Sequence, residues 1–344
     1  MRFKILKRLY LRNFRSYAQV EVVFSLHTNL FYGSNAQGKT NLLEAIFLLS
    51  TGRSFRTHHL KECIRHDTPF FFVEAEFEKE GIAQTIKLSF DGQVKKMEYN
   101  QTVYSHFTNL LGLLPTVFMA PEDVQIITGM PAERRRFLDL HLVQIDPLYV
   151  YHLSRYVKAM KQRNFLLRHK KSETISSWEQ IMTLSMQYIQ ERRAKMVEEL
   201  GQLLHTDEAL ELRYLPSATK DYASLRGKEM VLGTTLFGPH RDDLAILLEG
   251  KEAKLFASQG QKRSAITALR LAQWHHFKEC NGFKPILSID DFGVHLDASR
   301  STSLLEKIAH LGQVFLSSTN RYSLDKLFRV ALDTPLQEES FPVF

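Results

Sequence analysis

Residues 33–40 have the types and the spacing that bind nucleotide phosphates. They read GSNAQGKT and fit the pattern G-x-x-x-x-G-K-[ST]. In such a loop the backbone N–H groups converge on phosphate oxygens, and the positive end of the following helix points to the same place. Lys39 is expected to reach the β- and γ-phosphates, and the Thr40 hydroxyl to coordinate Mg²⁺. The predicted ATP–Mg²⁺ site consists of Gly33, Ser34, Asn35, Ala36, Gln37, Gly38, Lys39 and Thr40.

An apolar segment that ends in two acids supplies the carboxylates that such a site needs. Residues 286–291 read ILSIDD. An acid at the end of a buried strand binds the metal ion in many P-loop enzymes, so Asp290 is predicted to join Thr40 at Mg²⁺. Asp291 then lies where a general base or a water-orienting group is needed. Apolar strands that end in Asp are common, so this prediction depends on the P-loop. The predicted catalytic residues are Lys39, Asp290 and Asp291.

The segment SQGQK, residues 258–262, opens a predicted helix from Arg263 to Cys280. Serine and glycine at a helix N-terminus suit the binding of an anion. An ordinary helix cap explains the same residues, and taken alone it is the better explanation.

Strands and one apolar helix are predicted to position the phosphate-binding loop. Period-two alternation of Ile5, Leu9 and Leu11 indicates an N-terminal strand. Further strands are predicted around 70–77, 86–90, 113–119, 285–290 and 314–317, with Asp91-Gly92 as a hairpin turn. The helix NLLEAIFLLS is predicted directly after the loop, and Gly52 ends it.

The middle of the chain has a different periodicity. Residues 133–204 contain almost no glycine, and Met182, Ile189 and Met196 recur every seven residues. This pattern predicts a helical hairpin, which Arg193 interrupts. Strand character is predicted to return in 233–248 and 254–256. The predicted fold class is therefore α/β, with mixed parallel and antiparallel sheets in residues 1–121 and 232–344, interrupted by a mainly helical insertion over 122–231.

Composition limits the classes of partner. The chain has 344 residues, of which 44% are hydrophobic and 24% charged, as expected of a soluble protein. No apolar run is long enough for a membrane span. Two distant cysteines argue against a disulfide framework and favour a reducing, cytoplasmic setting. The net charge of +7 fits an anionic partner such as nucleic acid.

A basic stretch is the main candidate for contact with DNA. Between Asp146 and Glu173 the chain has no acid but seven basic residues. A solvated helix face is the alternative explanation, but an apolar stripe on the opposite side favours DNA. The principal candidates are Arg155, Lys158, Lys161 and Arg168, in a run that also contains Arg163, Lys170 and Lys171. Secondary candidates are Arg53, Arg56 and Arg134 to Arg136, of which the last three are expected either to bind DNA or to pin the insertion to the head.

The order of these motifs resembles that of ABC-type ATPase heads, and in detail the chain resembles the RecF family of bacterial recombination mediators, in the SMC/Rad50-like branch. The segments that carry this resemblance are LRNFRSY (11–17), GSNAQGKTNLLEAI (33–46), GRSFRT (52–57), PED (121–123), RRRFLD (134–139) and GPHRDDL (238–244). The resemblance spans residues 5 to about 320.

The resemblance implies an ABC-type P-loop ATPase head that sandwiches ATP between two head-to-tail copies. Ser258 and Gly260 would contact the γ-phosphate held by the partner copy, Arg15 would contact the nucleotide, and Asp297 would face the partner. The implied activity is ATP-dependent binding of single-stranded, gapped or junction DNA in replication, recombinational repair and SOS induction, together with other recombination mediators of the RecF pathway. Asp291, one methylene shorter than the usual Glu, predicts slow, weak ATP hydrolysis.

Two other classes of protein are disfavoured by the sequence. A transporter-type ABC ATPase is disfavoured by the helical insertion, by the basic run and by Ser318-Thr319, which stand where transporters usually carry His. A Rad50- or SMC-like protein with a long coiled coil is disfavoured by length, because ~80 helical residues folded into a hairpin reach only about 60 Å.

Overall fold

The computed structural model describes residues 2–171, 173–204, 209–217, 221–293, 298–320, 322 and 327–331. The chain forms two compact units: unit 1 is Met1–Pro121 with Phe277–Phe344, and unit 2 is Glu122–His276. The sequence pattern predicts that the insertion ends at residue 231, whereas the structure groups residues 232–276 with unit 2. The reason is packing, because side chains such as Leu244, Ile266 and Leu269 belong to the core of unit 2.

The elements are numbered in chain order. The strands are β1 (Arg2–Phe14), β2 (Tyr17–Val23), β3 (Thr28–Tyr32), β4 (Phe71–Lys79), β5 (Ile82–Phe90), β6 (Lys95–Tyr99), β7 (Thr102–Tyr104), β8 (Thr116–Met119), β9 (Leu210–Leu215), β10 (Asp243–Leu248), β11 (Lys251–Glu252), β12 (Phe283–Lys284), β13 (Ile286–Ile289), β14 (Val314–Ser318) and β15 (Leu327–Ala331). The helices are α1 (Lys39–Thr51), α2 (Gln125–Thr128), α3 (Pro131–Ile145), α4 (Pro147–Arg168), α5 (Ile175–Gln202), α6 (Tyr222–Leu232), α7 (Ala253–Phe256), α8 (Gln259–Asn281) and α9 (Ala298–Ala309).

Unit 1 contains two sheets. One has the order β12-β1-β4-β5-β6-β7, with β2 also paired to β1, and it is antiparallel except where β12 joins β1. The other is parallel, in the order β15-β3-β14-β13-β8. Ligands bind at the carboxyl ends of parallel strands. The phosphate-binding loop follows β3 and Asp290 follows β13, so both lie at that edge.

Helix α1 confirms the predicted apolar helix. It is buried along nearly its whole length and contacts strands of both sheets, as expected of a helix that is apolar on all sides. Gly52 caps its C-terminus with a φ of 69° and donates its N–H to the Leu48 carbonyl. A Cβ atom at Gly52 would lie 2.4 Å from the Phe107 ring, so both the conformation and the space require glycine here.

Strand β1 differs from the predicted alternation at one point. The structure buries Leu6, Leu9 and Leu11, whereas the sequence pattern placed Ile5 with Leu9 and Leu11. The register against β4 shifts between Leu6 and Arg8. This β-bulge adds one residue, so the core side of the strand changes parity.

Unit 2 is mainly helical. Helices α4 and α5 pack together as the predicted hairpin, and the heptad residues Met182, Ile189 and Met196 are fully buried in its core. A three-stranded antiparallel sheet, β11-β10-β9, completes the unit.

Three local predictions in unit 2 were wrong or incomplete. Of residues 233–248, only Asp243–Leu248 form a strand, and residues 254–256 belong to the short helix α7. Strand β9 was not predicted, although Leu210, Leu212 and Tyr214 alternate with charged residues, because the segment has only six residues and none of them is fully buried. Local patterns that short do not distinguish a strand from a helical turn.

Candidate functional site

The phosphate-binding loop lies between β3 and α1 in unit 1. Three of its residues have a left-handed backbone: Gly33 with a φ of 150°, Ala36 with 67° and Gly38 with 90°. A Cβ atom at Gly38 would lie 2.7 Å from the Tyr17 hydroxyl oxygen. The Tyr17 side chain, which the sequence analysis did not single out, therefore closes one side of the loop, and only glycine fits against it.

Lys39 is the first residue of α1, and only 5% of it is exposed. Its Nζ donates to the Gly33 carbonyl at 2.6 Å and to the Ser34 carbonyl at 2.7 Å. The ammonium group is thus held over the loop by neutral backbone dipoles. A phosphate oxygen would be a stronger acceptor for the same donor, because the hydrogen bond would then join opposite charges.

Thr40 and Asp290 are 250 residues apart in sequence and are hydrogen-bonded in the structure. The Thr40 hydroxyl donates to Asp290 Oδ1 at 2.9 Å, and the Ser317 hydroxyl donates to the same oxygen at 2.5 Å. Burial raises the pKa of Asp290. The structure therefore brings together the two side chains that were predicted to bind Mg²⁺, although their role stays a prediction.

These oxygens fit Mg²⁺ bound together with a nucleotide. Mg²⁺ prefers hard oxygen ligands and is usually held by one or two protein groups plus substrate phosphates. Over the residues that the structure describes, no group of three or more His, Cys, Asp or Glu side chains could hold a metal alone. A hydroxyl and one carboxylate suit an ion whose other ligands come from phosphates and water.

Asp291 follows directly and lines the same cavity. Its φ is 49°, and its N–H donates to the Ser317 hydroxyl at 2.8 Å. A left-handed non-glycine residue is costly and persists where the surrounding structure holds it. Ser317 thereby orients both acids, a role that the sequence analysis did not assign.

A cavity of about 580 Å³ opens beside the loop. Its lining residues are Arg15, Ser16, Asn35, Ala36, Gln37, Gly38, Lys39, Thr40, Asn41, Arg56, Glu62, Ile64 and Asp291. Arg15, expected at the nucleotide, and Arg56, a secondary candidate for DNA contact, thus line the same cavity. Its volume falls in the range of small-molecule and cofactor sites.

A buried carboxylate positions both arginines. Glu44 on α1 is fully buried, and its carboxylate accepts from Arg15 at 2.6 and 2.9 Å and from the Ser54 hydroxyl at 2.5 Å. Arg56 lies 3.6 Å from the same carboxylate and donates to Asn41 Oδ1 at 3.0 Å. The only sequence signal for Glu44 was a charged residue inside an apolar helix. By this geometry Arg56 lines the cavity beside the phosphate-binding loop.

Unit 2 holds the segment Ser258–Lys262. The Ser258 hydroxyl accepts from the Gln261 N–H at 3.2 Å, and Gln261 Oε1 accepts from the Ser258 N–H at 2.8 Å. This is a capping box at the start of α8, so the alternative of a helix cap describes the segment as it stands. Ser258 and Gly260 are exposed, and their contact with a partner's nucleotide stays a prediction.

Two further predictions concern the strand ends of unit 1. Ser318, at the switch position, is buried and donates its hydroxyl to the Phe292 carbonyl at 2.8 Å. Asp297 lies outside the described residues, so its predicted role at the partner copy stays a prediction.

The basic run lies mostly on α4. Lys158, Lys161 and Arg168 are exposed, and Arg155 is half-buried with its guanidinium over the Tyr151 ring. Arg163 is fully buried, and donates to Glu179 at 3.0 Å and to Glu229 at 2.5 Å. Arg163 therefore cannot contribute to a DNA-binding surface. Arg53 is exposed in unit 1.

The arginines around residue 134 hold unit 2 together. Arg134 makes a bidentate ion pair with Asp243 at 2.6 and 2.9 Å, and Arg135 donates to the Asp242 carbonyl at 2.8 Å. The buried carboxylate of Asp242 also accepts from Arg193 at 3.1 Å. Asp242 and Asp243 fall in the segment predicted to belong to the head, but they are part of unit 2, so Arg134 and Arg135 make these contacts within unit 2 and do not pin it to the head.

The parallel sheet, the loop between β3 and α1 and the acid after β13 define an ABC-type P-loop ATPase head. The family model of the RecF/RecN/SMC N-terminal domain matches residues 5–334. The DNA replication and repair protein RecF of Protochlamydia amoebophila is 42% identical, over 94% of this chain and 96% of that protein. The corresponding protein of Oceanobacillus iheyensis is 36% identical, over 92% of this chain and 93% of that protein.

Solved structures also resemble this chain. The recombination mediator protein RecF of the RecFOR pathway, in its ATP complex, has a TM-score of 0.85 at 30% identity and covers 95% of both chains. The Smc head domain of Pyrococcus furiosus shares the fold, with a TM-score of 0.51 at 15% identity and coverage of 92% of this chain and 90% of that chain. The chain belongs to the RecF family.

Among the described residues, no helix combines the length and the apolar character that a membrane crossing requires.

Proposed function

We propose that this protein is an ATP-gated DNA-binding protein of the RecF type. The observation that carries the proposal is the site in which Lys39, Thr40 and Asp290 converge at the carboxyl edge of the parallel sheet. Its likeness to RecF in complex with ATP supports the choice of nucleotide. Lys39 and the loop N–H groups would bind the phosphates, while Thr40 and Asp290 would hold Mg²⁺.

The cavity residues divide the remaining tasks. Arg15 and Arg56 lie on its wall as cations held in place by Glu44, which suits contact with the phosphates or sugar of ATP. Asp291 would orient the attacking water. Its short side chain and its fixed left-handed backbone favour slow hydrolysis. Such hydrolysis would end the ATP-bound, DNA-binding state rather than power mechanical work.

ATP is proposed to join two copies. Ser258 and Gly260 are exposed at the N-terminus of α8, the 23-residue helix, where backbone N–H groups favour an anion. In a head-to-tail dimer they would complete the γ-phosphate site on the P-loop of the other copy. Asp297 is proposed to face the partner there.

The DNA partner is proposed to be single-stranded, gapped or junction DNA. The support is the exposed basic face of α4, formed by Lys158, Lys161 and Arg168 with Arg155 beside it, and Arg53 in unit 1 as a further cation. The names of the RecF relatives support action in DNA replication and repair. We extend this to recombinational repair and SOS induction, with other mediators of the same pathway, in the cytoplasm.

Sedimentation velocity tests the proposal. The full chain would be examined with ATP, with a non-hydrolysable analogue and with ADP, each with and without gapped DNA. We expect dimers that hold DNA with the first two nucleotides and monomers with ADP. Lys39→Ala should abolish the dimers and Asp291→Asn should trap them. A monomer under every condition would refute the proposed mechanism.

A further inference from the structure

Exposed aromatic rings and basic groups share one face of α4. Tyr151, Lys158 and Phe165 are spaced by seven residues, or about two helical turns, so they form one row along the helix. Of the two rings, Tyr151 is 54% exposed and Phe165 47% exposed. Lys161 and Arg168 form a second exposed row beside the first. We call these five residues the outer face of α4.

The packing of unit 2 does not account for these rings. The opposite side of α4 supplies the buried residues Tyr149, Tyr156 and Leu167. On the outer face, the Tyr151 ring contacts the Arg155 guanidinium 5.8 Å from the ring centroid, and the Phe165 ring lies 4.1 Å from the ring of His169. Each ring is therefore supported by a neighbour while about half of its surface faces solvent.

The charge of the face indicates an anionic partner. Lys158 lies between the two rings, Lys161 and Arg168 lie beside them, and the sequence has no acid between Asp146 and Glu173. Cations that follow a line along a surface can contact successive phosphates. Rings interleaved with such cations are the combination that binds single-stranded nucleic acid, because each base offers a flat face for stacking.

The two rings favour a single strand over a duplex, and their spacing fits a stacked strand. Fourteen residues of helix separate the rings, which is roughly 21 Å at ~1.5 Å per residue. A stacked strand covers that length with about six nucleotides at ~3.4 Å each. In a duplex the base faces are covered by their neighbours, so side-chain rings can stack only on unpaired bases.

We infer that the outer face of α4 binds single-stranded DNA, with Tyr151 and Phe165 stacked on bases and Lys158, Lys161 and Arg168 on phosphates. This inference rests on the proposed function and makes it more specific. The outer face of α4 binds the unpaired nucleotides of a gapped substrate and does not bind the duplex part in the same way.

Fluorescence anisotropy with the full chain and ATP tests this inference. Three labelled probes of about 20 nucleotides would be compared: oligo-dT, an abasic strand with the same number of phosphates, and a duplex. The wild-type protein should bind oligo-dT more tightly than the abasic strand. Tyr151→Leu with Phe165→Leu should weaken oligo-dT binding about tenfold per ring and leave the abasic and duplex affinities within about twofold.

Two other variants serve as comparisons. Lys158→Gln with Lys161→Gln should weaken binding of all three probes and reduce the salt dependence for the single strands by about 1.4 in the log–log slope. Leu184→Ala, at another exposed apolar residue of unit 2, should change nothing. Unchanged ATP binding and melting temperature would show that the double leucine variant is folded.

The outcomes separate the two proposals. Equal losses for oligo-dT and duplex, or no loss for oligo-dT, in the double leucine variant would refute stacking and leave ATP-gated DNA binding intact. A wild-type protein that binds none of the probes in the presence of ATP would refute both.

Discussion

Both units bury a cation, but they balance its charge differently. In unit 1, the Lys39 ammonium is held by two neutral carbonyls at the edge of a cavity. In unit 2, Arg193 is 2% exposed and donates to the carboxylates of Asp139 and Asp242 at 2.8 and 3.1 Å. A cation held only by dipoles is further stabilised when an anionic ligand binds beside it. A cation enclosed by carboxylates is already neutralised, so an anionic ligand adds little.

The same difference in charge balance separates two sequence motifs, residues 33–40 and residues 238–244. Residues 33–40 form a site whose polar groups can exchange partners. The segment GPHRDDL, residues 238–244, contributes to a buried network in unit 2, where Asp242 accepts from Arg193, Gln190 and the Ser217 N–H, and from Tyr214 as well. A distinctive sequence motif can therefore mark either a ligand site or a buried structural network. The two are distinguished by whether the buried cation is already paired with carboxylates.

The largest expected effect on stability is in unit 2. Asp242→Ala would leave Arg193 buried without one of its two carboxylates, and breaking a buried pair in this way costs about 3–5 kcal/mol. The melting temperature should fall by about 10 °C or more. Differential scanning calorimetry would measure it, with Asp221→Ala as a control at an exposed acid. Equal melting temperatures for the two variants would contradict the structural role of the network.

Lys39→Ala should have the opposite effect: a small change in stability and a large loss of ATP affinity. The side chain makes no buried ion pair in its described contacts, so the melting temperature without nucleotide should stay within about 2 °C. The affinity for ATP should fall about 100-fold, because charged hydrogen bonds to phosphate are lost. Titration calorimetry measures the affinity, and Lys158→Ala is the matched lysine control. A large loss of stability with retained ATP affinity would contradict the interpretation of Lys39 as a ligand-binding residue and would indicate a structural role instead.

Glu44→Gln should give an intermediate result, because Glu44 is a structural carboxylate beside the ligand site. Arg15 and Arg56 would lose their countercharge, so we expect a loss of about 2 kcal/mol in unfolding free energy and about tenfold in ATP affinity. Both quantities would be measured on one sample. Glu62→Gln is the control, since Glu62 contacts Arg15 through its backbone carbonyl at 2.7 Å. Identical effects of the two substitutions would argue against a positioning role for Glu44.

Asp290→Asn should raise stability while it weakens Mg²⁺-dependent ATP binding. Burial raises the pKa of Asp290, so the folded state binds more protons than the unfolded state between the unfolded and folded pKa values. The ionised carboxylate is therefore destabilising above that window, and stability rises as the pH falls through it. Asn removes the charge and keeps an acceptor. The melting temperature of the variant should exceed that of the wild type at neutral pH, with the difference shrinking towards acid.

The smallest effect on stability is expected at the surface cations. Lys158→Glu with Lys161→Glu should leave the melting temperature nearly unchanged, because exposed charges contribute little to stability. DNA affinity at moderate salt should fall by about tenfold or more. Lys251→Glu, at another exposed lysine of unit 2, is the control. Equal DNA affinities of the two proteins would exclude the α4 face.

The sequence was most informative where a short motif carries its own geometry. Lys39 and Thr40 could be placed because the loop, the strand before it and the helix after it are contiguous. The fold class and the helical hairpin followed from long periodic segments. Arg56, Arg163 and Glu44 could not be placed, because their partners are far away in sequence or are brought close only by packing. The bulge in β1 left no periodic signal, and the period-two pattern of β9 extends over only six residues.

The central claim is that each ATP site is shared between two copies, and mixing two variants tests it most directly. Ser258→Asp keeps a good N-cap for α8 and, in the proposed dimer, would place a negative charge against the partner's γ-phosphate; Ser258→Asn is the neutral control. With ATP, Lys39→Ala and Ser258→Asp should each sediment as monomers. A mixture of the two should form heterodimers with one intact site. Dimers of Ser258→Asp alone, or monomers in the mixture, would contradict the shared site.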